Sequence, residues 1–272
     1  MITAYLTIDD IPTKQTPKLI DFLVSLNIRP IMFCWGQRLE ECRNEAIYAL
    51  KKGAVLQNHS YSHPHFSELS FEEAKKEILR NEELLESIYA EAGVKREYKL
   101  FRFPYGDQGG ENKDKIQQFL RDQSFAHIDD RAFDNMMYIQ KGQKEDTDVY
   151  WTFDYAEYNI RPGSTFKFDE VINRVDEFIR TEGLESQSSA PELLMGSPTC
   201  AKSDNCNDTD TWKEGQSGKA PEGTVSKNII LIHDHVETEE CYPGYFEKQI
   251  KLVLERGIRF VDPAVIFSRK KA

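Results

Sequence analysis

Apolar positions along the chain follow two alternating spacings. Short runs rich in β-branched and aromatic residues, such as AYLTI at 4–8 and NIILI at 228–232, are typical of strands. The segments between them repeat apolar residues every three or four positions, which predicts amphipathic helices. In the longest of these, Ser70 and Glu73 have the spacing of a capping box. The pattern predicts strands at 4–8, 30–35, 54–58, 99–103, 124–128, 148–153, 228–232 and 258–261, and helices at 16–27, 43–53, 70–93, 111–123, 168–183 and 244–257.

The order of these elements limits the fold. Strands that alternate with helices pair in parallel, because each helix crosses over to the start of the next strand. About eight strands in a chain of 272 residues predict a single α/β domain, a distorted or incomplete (β/α) barrel rather than an open sheet. In such a barrel the reactive residues follow the carboxyl ends of the strands.

One segment, at about 185–227, departs from the alternation. It is rich in Ser, Asp, Asn, Gly and Pro, and it is too long for an ordinary connection in a compact domain. We interpret it as a surface insertion beside the active face; disorder without a role is the alternative. Cys200 and Cys206 within it could close a small disulfide, but two cysteines are too few for an all-thiolate zinc site.

Charge and hydropathy exclude several classes of partner. The formal net charge is −11, which disfavours nucleic acids and anionic membranes because both would be repelled. No apolar run approaches the ~18 residues of a membrane span. The opening MITAYLTIDD has no basic segment followed by a long apolar stretch, so no signal peptide is visible. Either the protein stays inside the cell, or a leader has been removed and it acts outside.

Ionisable residues gather where most of the predicted strands end. Each group alone has an ordinary explanation, such as a helix cap, a turn or a buried histidine. The spacing of His59 and His63 would place both rings on one side of a helical turn, which suits chelation. Together, in a barrel, the groups would converge at one end. They are Asp9 and Asp10, His59 and His63, Arg102 to Gly106, Asp154 with Glu157 and Tyr158, and His233 to His235.

These residues carry a resemblance to a known family. From Thr7 to about Phe267 the chain resembles the polysaccharide deacetylases of the NodB-homology type, carbohydrate esterase family 4. The family's Thr-Phe-Asp-Asp motif is present as Thr7-Ile8-Asp9-Asp10, and its His-Ser/Thr-x-x-His motif as His59 to His63. Its Arg-x-Pro-Tyr-Gly motif is present as Arg102 to Gly106, and its Leu-x-His motif as Leu231-Ile232-His233.

The fourth motif departs from the family pattern. The family usually has Asp-x-x-Asp-Trp, whereas this chain has Asp154-Tyr-Ala-Glu157-Tyr158. Glutamate keeps the charge but places it about one methylene further out, and tyrosine gives a smaller aromatic wall with a polar tip. The HIDD segment at 127–130 is a competing candidate for this role.

The resemblance implies a role for each motif residue. Asp10, His59 and His63 would bind a divalent metal, with zinc as the default and cobalt or nickel as substitutes. Asp9 would be the general base, held by a bidentate pair with Arg102, and His233 the general acid, kept protonated by Glu157. The backbone N–H of Tyr105 would stabilise the oxyanion, Leu231 would line the pocket for the acetyl methyl group, and Tyr158 and Tyr105 would contact the substrate. His65, His127 and His235 have no family role and are interpreted as ordinary polar residues.

The resemblance also implies the reaction class. The leading hypothesis is metal-dependent hydrolysis of N-acetyl groups on sugars of a polysaccharide such as peptidoglycan or chitin. The same apparatus would serve an O-acetyl esterase that acts on acetylated xylan. A catalytically silent carbohydrate-binding homologue and a metal-free enzyme acting on small cyclic amides are further alternatives. The complete Asp-His-His set argues against the metal-free enzyme.

Overall fold

The core of the protein is a parallel sheet in which the long first strand is central. The computed structural model describes residues 1–188, 213 and 215–267. The strands are β1 (Ile2–Ile11), β2 (Ile31–Cys34), β3 (Val55–Asn58), β4 (Phe153–Asp154), β5 (Ile229–His233) and β6 (Ile258–Phe260). They follow the order β3-β2-β1-β5-β4, and β6 pairs with the first residues of β1. Every pairing is parallel, as the alternation of strands and helices predicted.

Helices connect the strands and pack outside the sheet. The predicted capping box is present, because Ser70 accepts a hydrogen bond from the Glu73 backbone and Glu73 reaches back to Ser70. Gly93, with φ 68°, ends the same helix in the left-handed conformation that glycine tolerates best. The helices are α1 (Thr16–Ser25), α2 (Gly36–Glu41), α3 (Arg43–Lys51), α4 (Phe71–Ala92), α5 (Lys113–Asp122), α6 (Met136–Gln140), α7 (Phe168–Ser188), α8 (Val236–Cys241), α9 (Tyr245–Glu255) and α10 (Ala264–Phe267). The short helices α2, α6, α8 and α10 were not predicted.

The ring of strands is closed by irregular backbone, which makes the barrel a distorted one. Among the described residues there are six strands rather than the eight predicted. The segment 99–103 is extended and bonds to β3, through Asn58 N to Leu100 O at 3.1 Å. It also bonds onward, through Val149 N to Phe101 O at 2.8 Å, and Thr152 N then reaches Ile229 O of β5 at 2.9 Å. The predicted strand at 124–128 is irregular.

Alternate residues of β1 face two different cores. Leu6 and Ile8 pack with the helices in the larger apolar cluster, whereas Tyr5 belongs to a second cluster with Phe33 and Ile229 inside the ring. Because side chains alternate along a strand, Thr7 and Asp9 share the inner face with Tyr5. The inner face of the ring therefore changes from apolar at its amino end to ionisable at its carboxyl end.

The described part of the predicted insertion lies away from that carboxyl end. Gly218 N bonds to Leu26 O, Ala220 N to Phe260 O, and the Ser226 hydroxyl to Thr3 O. These contacts lie at the amino end of β1, so the prediction that this stretch lies beside the active face is wrong for 215–227. Cys200 and Cys206 lie outside the described residues, so their pairing stays a prediction. No helix in the described part of the chain combines the length and apolarity needed to cross a bilayer.

Candidate metal centre and active site

A bulge at the end of β1 turns two consecutive carboxylates towards one site. Ile8 pairs with Met32 and Ile11 pairs with Cys34, so two residues of β1 lie opposite one residue of β2. Asp10 has φ 60°, which breaks the extended backbone. In a regular strand Asp9 and Asp10 would point to opposite faces, and the bulge removes that constraint.

A braced loop carries the two histidines. Its first residue, His59, follows β3 directly, and its backbone N–H bonds to Cys34 O at 3.1 Å. Ser60 and His63 both have positive φ, so the segment is an irregular loop and not the helical turn that the spacing suggested. The Asn58 side chain accepts from Ser60 N, and Glu77 of α4 accepts from the backbone of 61 and 62.

Asp10, His59 and His63 converge on a common point. Nε2 of His63 lies 3.0 Å and Nε2 of His59 lies 3.7 Å from Oδ1 of Asp10. The His59 ring is oriented by its other nitrogen, which lies 2.8 Å from Arg102 O and leaves Nε2 to face the site. Oδ1 of Asp10 is buried and has no hydrogen-bond partner among the described residues.

This arrangement fits a divalent metal. Bonds of about 2.0–2.1 Å at tetrahedral angles place ligand atoms roughly 3.3 Å apart, between the two observed separations. One carboxylate and two imidazoles would leave room for water, as a catalytic centre requires. The chain thus offers an Asp/His group that can hold a metal ion.

Electrostatics keep these groups ready to bind a cation. Burial lowers the pKa of His59 to about 4 despite the nearby charge of Asp9, so the ring is neutral at physiological pH. Burial alone would raise the pKa of Asp10, but the hydrogen bond from His235 and the proximity of His63 hold it well below its usual value. A neutral imidazole and an ionised carboxylate are the forms that bind metal.

Asp9 is held beside this group by Arg102. Nη1 of Arg102 lies 2.7 Å from Oδ1 of Asp9, and both side chains are buried. The same nitrogen bonds to the Thr7 hydroxyl at 2.9 Å, while Nε bonds to Val149 O. The contact is therefore made through one nitrogen, and the predicted bidentate pair is wrong because the closing segment at 149–150 takes the other donors.

His233 lies on the neighbouring strand and is paired with Glu157. Asp9 and His233 are register partners on β1 and β5, so their side chains share one face of the sheet. Oε1 of Glu157 lies 3.0 Å from Nδ1 of His233 and also accepts from its backbone N–H. Burial alone would lower the pKa of His233, but Glu157 and the nearby Asp10 and Asp9 raise it to about 9.

The fourth motif, which differs from the family pattern, thus contacts His233 through Glu157. Asp154 also lies within this group, and burial followed by the charge of Glu157 raises its pKa. The competing HIDD segment makes other contacts: His127 lies against Asp146 O, and Asp130 accepts from Tyr138. Of Glu157 and Asp130, only Glu157 contacts His233 in the described part of the chain.

Aromatic side chains border the site. Tyr105 is 60% exposed, and its ring stacks on His65 with the centroids 4.0 Å apart and lies 4.6 Å from the ring of His63. Tyr158 packs edge-on against His233 with the centroids 4.8 Å apart. Leu231 is buried, two residues before His233 on the same face of β5.

Sequence reasoning missed two residues that contact this site. His235, interpreted as an ordinary polar residue, has Nε2 only 2.6 Å from Oδ2 of Asp10. Its position two residues after His233 on an extended segment was the available signal. Glu77 gave no comparable signal, because it lies 14 residues after His63 on a helix whose register with the loop is set by packing.

Backbone strain is concentrated around these side chains. Seven non-glycine residues in the described ranges have positive φ, and two of them, Asn27 and Ser124, lie elsewhere. The conformation is unfavourable for residues with a Cβ atom, and such outliers cluster at functional sites. The five at the site are Asp10, Ser60, His63, Tyr105 and Ala156.

Comparisons with known proteins match part of the chain to one family. Residues 2–122 match the family model described as polysaccharide deacetylase. The peptidoglycan-N-acetylglucosamine deacetylase of Bacillus cereus is 33% identical over 103 residues, which make up 38% of this chain and 36% of that protein. The bifunctional xylanase/xylan deacetylase of Cellvibrio japonicus is 30% identical over 103 residues, 38% of this chain and 15% of that protein. The chain therefore spans well under half the length of these relatives.

A solved structure extends the likeness in fold. The crystal structure of the Bc1960 peptidoglycan N-acetylglucosamine deacetylase has a TM-score of 0.59 at 19% identity, covering 99% of this chain and 90% of that one. This likeness shows a shared fold over nearly the whole chain. The resemblance carried by the sequence motifs is confirmed, because residues 2–122 match the model of the polysaccharide deacetylase family.

Proposed function

We propose that the chain is a metal-dependent deacetylase that hydrolyses the acetamido groups of N-acetylated sugars in a polysaccharide such as peptidoglycan or chitin. The observation that carries this proposal is the buried Oδ1 of Asp10, which lies 3.0 and 3.7 Å from two imidazole nitrogens and accepts no hydrogen bond of good geometry from any described residue. A buried carboxylate is costly unless a proton or a cation balances its charge, and a metal ion between these groups would do so. The acidic and basic groups that hydrolysis requires lie on either side of it.

Asp10, His59 and His63 would hold the ion. Zinc suits this mixed nitrogen and oxygen set, and cobalt or nickel could replace it. When bound, such an ion lowers the pKa of its water to about 7 and polarises a carbonyl. The buried walls around these side chains would keep bulk solvent away.

Asp9 would act as the general base. It lies beside the metal group, with Oδ2 3.7 Å from Nε2 of His59. Its Oδ1 is occupied by Arg102, so Oδ2 is the oxygen available to take a proton from the attacking water. Arg102 would therefore orient this carboxylate and balance its charge.

His233 would act as the general acid. It lies beside Asp9 on the adjacent strand, and its raised pKa of about 9 keeps the ring protonated at neutral pH. Nδ1 faces Glu157, which leaves Nε2 to protonate the departing amine. Glu157 would thus fix both the charge and the orientation of the acid.

The remaining residues would contact the acetylated sugar. The backbone N–H of Tyr105, next to His63, would donate to the developing oxyanion. Leu231 would line the pocket for the acetyl methyl group, and Tyr158 would form the aromatic wall beside His233. Since Glu157 and His233 both lie beyond the family match at 2–122, we extend the proposed catalytic domain over residues 1–272.

Acetate release is the direct test. The purified protein is assayed on chitin oligosaccharides, peptidoglycan and acetylxylan, with and without a chelator, and Asp10→Ala is the matched inactive control. We expect release from an N-acetylated substrate that chelator abolishes and added Zn²⁺ or Co²⁺ restores. Stoichiometric metal without acetate release on any substrate would instead favour a silent binding homologue.

An O-acetyl esterase is the second candidate. The Cellvibrio japonicus relative, named a xylan deacetylase, favours it, as does the smaller and more polar wall that Tyr158 provides. The ratio of kcat/KM on acetylxylan to that on chitin oligosaccharides separates the two. A ratio well above one would replace N-deacetylation as the assigned activity while leaving the metal centre intact.

A further inference from the structure

We propose that His235 is a positioning residue that fixes the carboxylate of Asp10 for metal binding. Nε2 of His235 lies 2.6 Å from Oδ2 of Asp10, the oxygen that does not face the other two histidines. A hydrogen bond there leaves Oδ1 directed at His59 and His63. The inference rests on the proposed metal site and adds a residue to it.

The geometry favours support over ligation. At 2.6 Å the contact is a short charge-assisted hydrogen bond, which requires a proton between the two atoms. A nitrogen that donates this proton has no lone pair left for a metal. Carboxylates that bind metals are themselves commonly hydrogen-bonded, and such partners fix their orientation.

His235 is itself held by the surrounding fold. The hydroxyl of Tyr245, a buried residue at the start of α9, accepts from the backbone N–H of His235 at 2.9 Å. The same hydroxyl donates to the carbonyl of His233 at 2.6 Å. One phenol therefore fixes the backbone on both sides of Asp234, which couples the proposed acid to the residue that holds Asp10.

Asp234, between the two histidines, is anchored as well. Its carboxylate accepts hydrogen bonds from the hydroxyls of Thr13 at 2.7 Å and Thr16 at 3.3 Å. Arg38 donates to the backbone carbonyls of both Asp10 and Asp234. Hydrogen bonds thus connect the segment that carries His235 to the segment that carries Asp10. A residue that positions Asp10 requires such a fixed arrangement.

The test measures metal affinity in protein stripped of metal with a chelator. Zn²⁺ dissociation constants are obtained by competition with a chromophoric chelator, and the visible spectrum of bound Co²⁺ reports the ligand set. The variants are His235→Ala, His235→Asn and His235→Gln. Glutamine can place an N–H close to the position of Nε2, whereas the shorter asparagine cannot. His127→Gln, which changes a histidine bound to Asp146 and Asp130, is the matched control.

We expect His235→Ala and His235→Asn to weaken Zn²⁺ binding by about 10–100-fold. His235→Gln should recover most of the affinity, His127→Gln should match the wild type, and the Co²⁺ band shape should stay the same throughout. An unchanged dissociation constant in both His235→Ala and His235→Asn would overturn the inference. A changed Co²⁺ spectrum without rescue by glutamine would overturn it too, because His235 would then be a ligand. A wild-type protein that binds no metal would refute the proposed function itself.

Discussion

Replacement of Glu157 by glutamine tests how the proposed acid keeps its proton. The side chain is fully buried, and its Oε1 accepts from both the ring and the backbone of His233. The rise in the pKa of His233 from 6.5 to about 9 corresponds to about 3 kcal/mol in favour of the charged ring. Glutamine removes the charge but keeps the volume, so the pKa of His233 should fall towards 6.5, with Asp9 and Asp10 still opposing the effect of burial.

The expected effect follows from the fraction of protonated imidazole. At pH 7 a pKa of about 9 leaves about 99% of the rings protonated, whereas a pKa of 6.5 leaves about a quarter. A general acid works below its pKa and fails above it, so activity on the alkaline side should be lost at lower pH in Glu157→Gln. At neutral pH the turnover should fall by up to about fourfold from this cause alone.

The measurement is kcat/KM for acetate release across pH, which reports the ionisations of the free enzyme. Glu182→Gln is the matched control, because Glu182 is another buried acid but accepts from Asn228 instead of from a histidine of the site. Thermal melting of both variants shows whether the fold is kept. An alkaline limb at the wild-type pH in a folded Glu157→Gln variant would refute the assignment of this pair.

Further outcomes are expected for variants of the same site and for the effect of pH on stability. Asp10→Ala should lose both metal and activity, whereas Asp9→Asn should keep the metal and lose turnover, by metal analysis and acetate assay; full activity in Asp9→Asn would contradict the base assignment. Arg102→Met should lower the free energy of unfolding by about 3–5 kcal/mol, because Asp9 would be left charged and buried, and adding Asp9→Asn should recover part of this in denaturant titrations. Glu77→Ala should weaken metal binding and cost about 1–3 kcal/mol of stability, since two backbone N–H groups of the histidine loop lose their acceptor. Because its pKa is raised on folding, His233 should contribute stability that is complete below pH 6.5 and disappears as the pH rises through about 9, as unfolding measured across this range would show.

The sequence predicted which ionisable side chains lie together more accurately than it predicted the strands that carry them. Asp9 and Asp10 lie at the end of β1 and His59 follows β3, two strands with clear apolar runs, and parallel strands bring their carboxyl ends together. The segments at 99–103 and 124–128 have equally apolar compositions, yet neither is a regular strand. Composition indicates burial, whereas regular pairing depends on neighbours that are themselves irregular at 149–152.

The orientations of the side chains at the site could not be predicted from the spacing of residues in the sequence. The pattern His59-x3-His63 suggested a helical turn, but Glu77 and Asn58 hold an irregular loop that achieves the same convergence. Arg102 does not form the predicted bidentate pair with Asp9, because its other nitrogens donate to backbone carbonyls of the closing segment at 149–150. Such competition between hydrogen-bond partners depends on the three-dimensional arrangement and not on spacing in the sequence.

The five left-handed residues around the site have a consequence for engineering. Each such residue costs of order 1–3 kcal/mol, and glycine would relieve that cost. Asp10 and His63 cannot be exchanged without removing a proposed metal ligand, so their cost is built into the chemistry. Ala156 contributes only a methyl group at φ 59°. Ala156→Gly is therefore the substitution among these five positions that could raise the thermal stability without altering a functional group.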